Sequence, residues 1–195
     1  MDRRIERTRQ LITDTFIELL GSKGFEKLTI RDISERANIN RGTVYLHFTD
    51  KYDILDKCIE RYIGELLVNC QETSGEHAFA ELEIKEDAML SIFKYLQDNI
   101  DIYRLLLKND KTGEFHNKLH RVLMVQTKYA IDMLPDKYID SKDVTIEFLT
   151  NGFLGVIEWW LNAQDPASPE EITNQMLSIL VQMGIKKESC HTNDF

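Results

Sequence analysis

Between Arg41 and Phe48 the chain reads RGTVYLHF. At helical spacing Val44 and Phe48 share a face that can pack inward, which leaves Arg41, Thr43, Tyr45 and His47 to be shown outward. A long cation, a hydroxyl with a methyl group and two aromatic donors suit the floor and walls of a DNA major groove. Arg41 can pair with a guanine edge. Thr43 can touch a thymine methyl or a phosphate. Tyr45 and His47 suit phosphate oxygens, as do Thr29 and Lys51 at helix starts.

A second group of residues raises the question of a metal. His116 and His120 stand at i, i+4 with Glu114 nearby, but the run is HNKLH. A hydrolytic zinc helix needs H-E-x-x-H, with the glutamate as base, and that base is missing here. No third ligand can be identified, so two solvated histidines are the plainer reading. Glu147 and Glu158 lie eleven residues apart. On one helix that is about 16 Å, too far for a carboxylate dyad. There is no Gly-rich phosphate loop and no G-x-S-x-G elbow. The sequence therefore offers no catalytic residues, no metal site and no cofactor, and it reads as a binding protein rather than an enzyme.

Charge is divided unevenly. The 195 residues carry a formal net charge of −9, which on its own argues against nucleic acid. Residues 1–55, however, hold ten Lys/Arg against nine Asp/Glu, a balance of +1, and the remainder holds fourteen against twenty-four, or −10. Arg3, Arg4, Arg7 and Arg9 cluster at the start and can add phosphate or minor-groove contacts, or none that is specific. Such asymmetry suggests two jobs. Cys58, Cys70 and Cys190 have no metal-ligand spacing and leave an odd thiol, which points to a reduced, cytoplasmic setting. The longest apolar stretch, Phe153 to Leu161, is short for a bilayer and carries Glu158, and the first ten residues lack a signal-peptide core. No membrane partner is expected.

The elements that must position these residues read as all-α. The three prolines, Pro135, Pro166 and Pro169, lie in the last third, and spaced apolar residues fill the rest without a period-2 run. The spacing predicts a first helix from Arg4 to Ser22. A short second helix follows Thr29, with Asp32 completing a capping box. Asn38 sits where a left-handed residue is needed. Asn40 caps a third helix, Arg41 to Phe48, and Asp50 a fourth from Lys51. Thr73 to Glu83 is the expected hinge. Further helices are predicted over Glu86–Asn99, Ile102–Asn109, Glu114–Leu134, Asp143–Ala163 and Pro169–Gly184, with Ser168 as the last cap and a frayed tail from Lys186. The two short helices around the turn, ISERA-NIN-RGTVYLHF, make a helix-turn-helix.

The run from Arg9 to Leu55, about a quarter of the chain, resembles the DNA-binding domain of the TetR family of bacterial transcriptional regulators. The landmarks are Ile12, Gly24-Phe25, Leu28-Thr29-Ile30, Asp32-Ile33, Ala37 and INRGTVYLHFTDKYDIL. The family's T-x-Y-x-H/Y-F signature stands as Thr43, Tyr45, His47 and Phe48, followed by Lys51. The family's turn glycine is Asn38 here, and its small pair in the first helix is Thr15-Phe16. The resemblance implies an N-terminal three-helix helix-turn-helix domain (residues 1–50), a connecting helix (51–72) and a C-terminal helical bundle for effector sensing and dimerisation (73–195). The expected DNA-binding set is Thr29, Arg31, Asn40, Arg41, Gly42, Thr43, Tyr45, His47 and Lys51, acting on a pseudo-palindromic operator.

The pattern NGFLGVIEWWLNAQDPASPEEI resembles the last two helices of many relatives, where family members form homodimers through a four-helix bundle. The residues allow this independently. Gly152 and Gly155 leave a bare strip beside Val156 and Trp159, and Met176, Ile179, Leu180 and Met183 supply an apolar face. The resemblance further implies an effector pocket, with Phe93, Tyr103, Phe115, Leu119, Met124, Tyr129, Phe148 and Trp159 as candidate walls for a small lipophilic or aromatic ligand. Repression released by such an effector is the family default. The alternative is a regulator or activator controlled by a protein partner, for which acidic Glu81, Glu83, Glu86 and Asp87 offer a surface.

Overall fold

The computed structural model describes residues 3–74, 86–110, 113–132 and 141–183. Among these every regular element is an α-helix. In chain order they are α1 (Arg3–Lys23), α2 (Ile30–Arg36), α3 (Arg41–Tyr45), α4 (Lys51–Ser74), α5 (Glu86–Asp98), α6 (Ile100–Asn109), α7 (Glu114–Asp132), α8 (Lys142–Asn162) and α9 (Pro169–Gln182). Each predicted helix is present, with ends that differ by a few residues, as fraying and capping allow. Of the expected hinge, residues 75–83 lie outside the described residues, as does the tail from Lys186. So do the side chains of Glu81, Glu83, Glu86 and Asp87.

The local signals act where the sequence places them. Thr29 caps α2: its hydroxyl accepts from the Asp32 amide at 3.2 Å, and the Asp32 carboxylate accepts from the Thr29 amide at 2.9 Å. After α2 the Asn38 amide donates to Glu35 O at 3.3 Å and the Ile39 amide to Ser34 O at 3.0 Å. That is a Schellman pair of bonds, and it requires the left-handed φ of +53° found at Asn38. Ser168 and Glu171 form a second capping box at α9, with Pro169 in its first turn.

Two compact units divide the chain. The first joins Met1–Ile63 to Asp101–Lys118, and the second joins Gly64–Ile100 to Leu119–Phe195. This differs from the linear division at residues 50 and 72, because α6 and the start of α7 belong with the helix-turn-helix. The reason lies in the core of the first unit. Its buried set includes Ile12, Phe16 and Leu20 of α1, Ile33 of α2, Val44 of α3, and Ile54, Cys58 and Ile59 of α4, together with Tyr103, Leu106 and Phe115. Tyr103 meets the rings of Tyr62 at 6.3 Å and Phe115 at 6.2 Å, both edge to face. The Phe25 amide donates to the Asn109 carboxamide at 3.4 Å, and Lys118 pairs with Asp56 and Glu60 of α4.

In the second unit α5 packs on α9, and the Phe93 and Trp160 rings meet edge to face at 5.4 Å. The Trp160 indole N–H donates to Ala167 O at 2.8 Å, so this fully buried ring leaves no polar atom unsatisfied. Along α8 the buried residues are Ile146, Leu149, Thr150, Leu154, Ile157, Trp160 and Leu161. A second stripe on the same helix, Val144, Phe148, Gly152, Gly155 and Trp159, is exposed.

Candidate nucleic-acid interface

The helix-turn-helix is held from beneath. Val44 and Phe48 are 0% and 4% exposed and anchor α3 to the core of the first unit. Asn40 caps α3, its side chain accepting from the Gly42 amide at 2.8 Å. A β-carbon at Gly42 would stand 3.3 Å from that same Asn40 oxygen, a closer approach than most side chains tolerate. The helix proper ends at Tyr45, three residues short of the predicted end, but the His47 and Phe48 amides still donate to Val44 O at 3.0 and 2.9 Å. The turn therefore stays closed through Phe48.

The outward side of α3 carries the expected chemistry. Arg41, Gly42 and Tyr45 are exposed, and Thr43 and His47 are half-buried. Arg41 makes no hydrogen bond or ion pair among the described residues, so its guanidinium is available to a ligand. Sequence reasoning missed Leu46, which caps the C-terminus of α3 and is 83% exposed. It lies two residues from both Val44 and Phe48, on the opposite side of the helix. That spacing, two residues from each inward side chain, is the signal by which the sequence marks it as outward.

The flanking residues are more committed. Arg31 pairs with Glu35 at 2.6 Å, which pushes its pKa upward, but both partners are mostly exposed and such a pair opens at little cost. The Thr29 hydroxyl donates to the Asp32 carboxylate at 2.7 Å, which spends its proton inside the cap. Asp32 also receives Lys23 at 2.6 Å, and together these donors hold its carboxyl down to about 2. Lys51 departs furthest from expectation. Its ammonium donates to Phe25 O at 2.9 Å and to Glu26 O and Leu28 O at 3.2 Å each, and it stands 4.6 Å from the centre of the Phe25 ring. All three of its protons have acceptors within the protein, so a phosphate contact would have to displace one of them. The N-terminal arginines are carried on the first turns of α1, exposed at Arg3, Arg4, Arg7 and Arg9.

The pocket candidates do not converge. A cavity of about 50 Å³ lies in the second unit, lined by Met89, Ile92, Phe93, Leu123, Gln126, Thr127, Phe153, Ile157 and Met176. Of the eight expected walls, Phe93 is among these. Tyr103 and Phe115 are core residues of the first unit, while Leu119 is buried and Met124 half-buried in the second. Tyr129, Phe148 and Trp159 are exposed, and the last two lie in the outer stripe of α8. The expected dimer set divides likewise. Gly152, Gly155, Trp159, Ile179 and Met183 are exposed and Val156 is half-buried, but Met176 and Leu180 are buried at 6% and 4% within the subunit. Among the described residues no three His, Cys, Asp or Glu side chains are placed to hold a metal ion, and no helix is long and apolar enough to cross a membrane.

A short, capped helix anchored from below, with a cation, hydroxyl and aromatic groups turned outward behind a left-handed turn, defines a helix-turn-helix. The family comparison agrees: residues 12–58 match the model of bacterial regulatory proteins of the tetR family, and residues 85–182 match a transcriptional regulator C-terminal region. The chain belongs to the TetR family of bacterial regulatory proteins.

Two curated relatives and one solved structure show the range of similarity. An uncharacterized HTH-type transcriptional regulator of Bacillus subtilis, YxbF, is 24% identical over 181 residues, 92% of this chain and 46% of that protein. The dhaKLM operon transcriptional activator DhaS of Lactococcus lactis is 24% identical over 127 residues, 62% of this chain and 63% of that protein. The chain thus spans about half to two thirds of the length of these two curated relatives. A solved TetR transcriptional regulator from Streptococcus agalactiae superposes with a TM-score of 0.70 at 23% identity, over 92% of this chain and 96% of that one. At that identity the likeness shows the fold.

Proposed function

We propose that the protein acts inside the cell as a homodimeric repressor. Each subunit lays the Arg41–His47 face of α3 in a major groove of a pseudo-palindromic operator. The observation that carries this reading is the division of α3 into an anchored side, Val44 and Phe48, and an outward side whose Arg41 has no partner among the described residues. Arg41 reads a guanine edge, Thr43 and Leu46 meet thymine methyls, and Tyr45 and His47 reach phosphates. Asn40 and Gly42 shape the helix start, and Thr29 and Arg31 flank it.

The exposed stripe Val144, Phe148, Gly152, Gly155 and Trp159 on α8, with Ile179 and Met183 on α9, supports a dimer. Two-fold pairing suits half-sites about one helical turn, roughly 34 Å, apart. Fluorescence anisotropy tests the reading, with an operator recovered by in vitro selection, a scrambled duplex, and wild type beside Arg41→Ala. Specific binding about a thousandfold tighter than the scramble, lost in the variant, is the expected result. Equal binding of both duplexes by wild type would overturn it.

For the signal, two readings compete. The walls of the cavity in the second unit are mostly apolar and suit a lipophilic effector. Its volume of about 50 Å³ nevertheless falls well below the roughly 300 Å³ at which ligand pockets begin. That smallness favours a protein co-regulator as the source of the signal. Release of the operator complex by an added apolar compound supports the effector reading. Indifference to a panel of such compounds supports the protein partner.

A further inference from the structure

Lys51 stands at the first position of α4, immediately after the segment that reads DNA, and its ammonium turns back across that segment. Its acceptors, the carbonyls of Phe25, Glu26 and Leu28, belong to the turn between α1 and α2. The turn is itself closed, since the Leu28 amide donates to Phe25 O at 3.3 Å. Its carbonyls therefore converge on one point. The Phe25 ring closes another side at 4.6 Å, and Tyr52 packs edge-on against Phe25 at 5.0 Å. Three carbonyl dipoles and a ring face make a seat for a compact cation with three diverging donors, which describes an ammonium and not a planar guanidinium.

We propose that Lys51 is a positioning residue for operator recognition, a non-covalent staple that sets the recognition helix without touching the phosphate backbone. The bond from Lys51 to Leu28 closes a loop over residues 29–50. That loop contains all of α2, the Asn38 turn and α3, so both ends of the reading segment are fixed to one point. With the staple in place α3 meets the groove already oriented, and the ordering cost at binding is small. The proposal rests on α3 being the recognition helix.

Three variants separate the roles on the selected operator, with folding of each checked by circular dichroism. Lys51→Met removes the staple, and Lys51→Arg keeps the charge but not the tripod. Arg41→Ala tests the underlying reading. A staple predicts that Lys51→Met and Lys51→Arg both lose at least tenfold in specific affinity and little in non-specific affinity. It also predicts that the slope of log affinity against log salt stays at the wild-type value in Lys51→Met. A phosphate contact predicts the reverse: Lys51→Arg binds like wild type, and Lys51→Met has a slope shallower by about 0.9 per contact. That pattern would overturn the proposal, and so would wild-type affinity in Lys51→Met.

A measurement on the unaltered protein covers the case in which the variants fold poorly. The Lys51 ammonium cross-peak in nitrogen-15 spectra should be visible in the free protein and unmoved when operator is added. Its displacement by DNA would also overturn the staple. Arg41→Ala that retains full specific binding would instead sink the assignment of α3, whatever Lys51 does.

Discussion

The phenol of Tyr103 donates to the main-chain carbonyl of Tyr62 over 2.7 Å, and their rings meet edge to face. One residue lies on α6 and the other on α4, so this pair fastens a mid-chain segment to the helix that follows the reading segment. Tyr103 is fully buried. Tyr103→Phe keeps the ring and removes the donor. It should cost about 1 kcal/mol, because the Tyr62 carbonyl also belongs to a helix ladder and is not left wholly unsatisfied. Urea denaturation should show a lower midpoint with an unchanged m-value. Tyr103→Ala should cost about 3–5 kcal/mol, since it removes the ring as well.

Acid should act through Asp32. Its carboxyl lies at about 2 in the folded protein against an ordinary 3.8, chiefly because Lys23 and the Thr29 hydroxyl and amide hydrogen-bond to the ionised form. A depressed carboxyl contributes stability that is fully present above its unfolded pKa and fades as the pH falls through the folded one. The difference in urea midpoint between wild type and Asp32→Asn should therefore be constant above about pH 5 and shrink between pH 4 and 2. A difference that persists unchanged at pH 2 would show that the cap does not depend on ionised Asp32.

Asn38 tests the turn. With φ at +53° it occupies the left-handed region, where a β-carbon is costly. Asn38→Gly should leave the thermal midpoint unchanged or slightly raised. Asn38→Ala should lower stability by about 1 kcal/mol. Equal midpoints for the two variants would mean that the turn relaxes out of the left-handed conformation.

Adjacent tryptophans should behave oppositely. Trp159 is 62% exposed and Trp160 is fully buried. Trp159→Arg should leave the melting of secondary structure close to wild type and convert a dimer to monomers in sedimentation equilibrium. Trp160→Ala should cost about 3–5 kcal/mol, through the lost ring contact with Phe93 and the cavity left behind. A Trp159→Arg protein that sediments as wild type would remove α8 from the interface.

Much of this was legible before any coordinates. Thr29, Asp32, Asn38, Asn40, Ser168 and Pro169 act locally, within a turn or two, so their chemistry can be read from neighbouring letters. The inward Val44 and Phe48 follow from helical period alone. What escaped was long-range. Nothing in the letters around Lys51 says that its ammonium reaches back to residues 25–28. Nothing around Tyr103 or Phe115 says that they complete the core of the N-terminal unit instead of walling a pocket. The same holds for the apolar face of α9 and its C-cap: Met176 and Leu180 share a period with Ile179 and Met183, and only packing decides which of them stays outside.

The discontinuity of the first unit carries a consequence for biosynthesis. Its recognition helix and the turn after it are complete by Phe48, yet Tyr103, Leu106 and Phe115 supply part of its core. A domain folds as a unit, and a nascent chain emerges from its N-terminus onward. The DNA-reading end of this protein, although written first, therefore lacks a complete core on the ribosome until the residues up to Lys118 have emerged. A chimera cut at residue 50 would inherit a reading head that lacks part of its own interior.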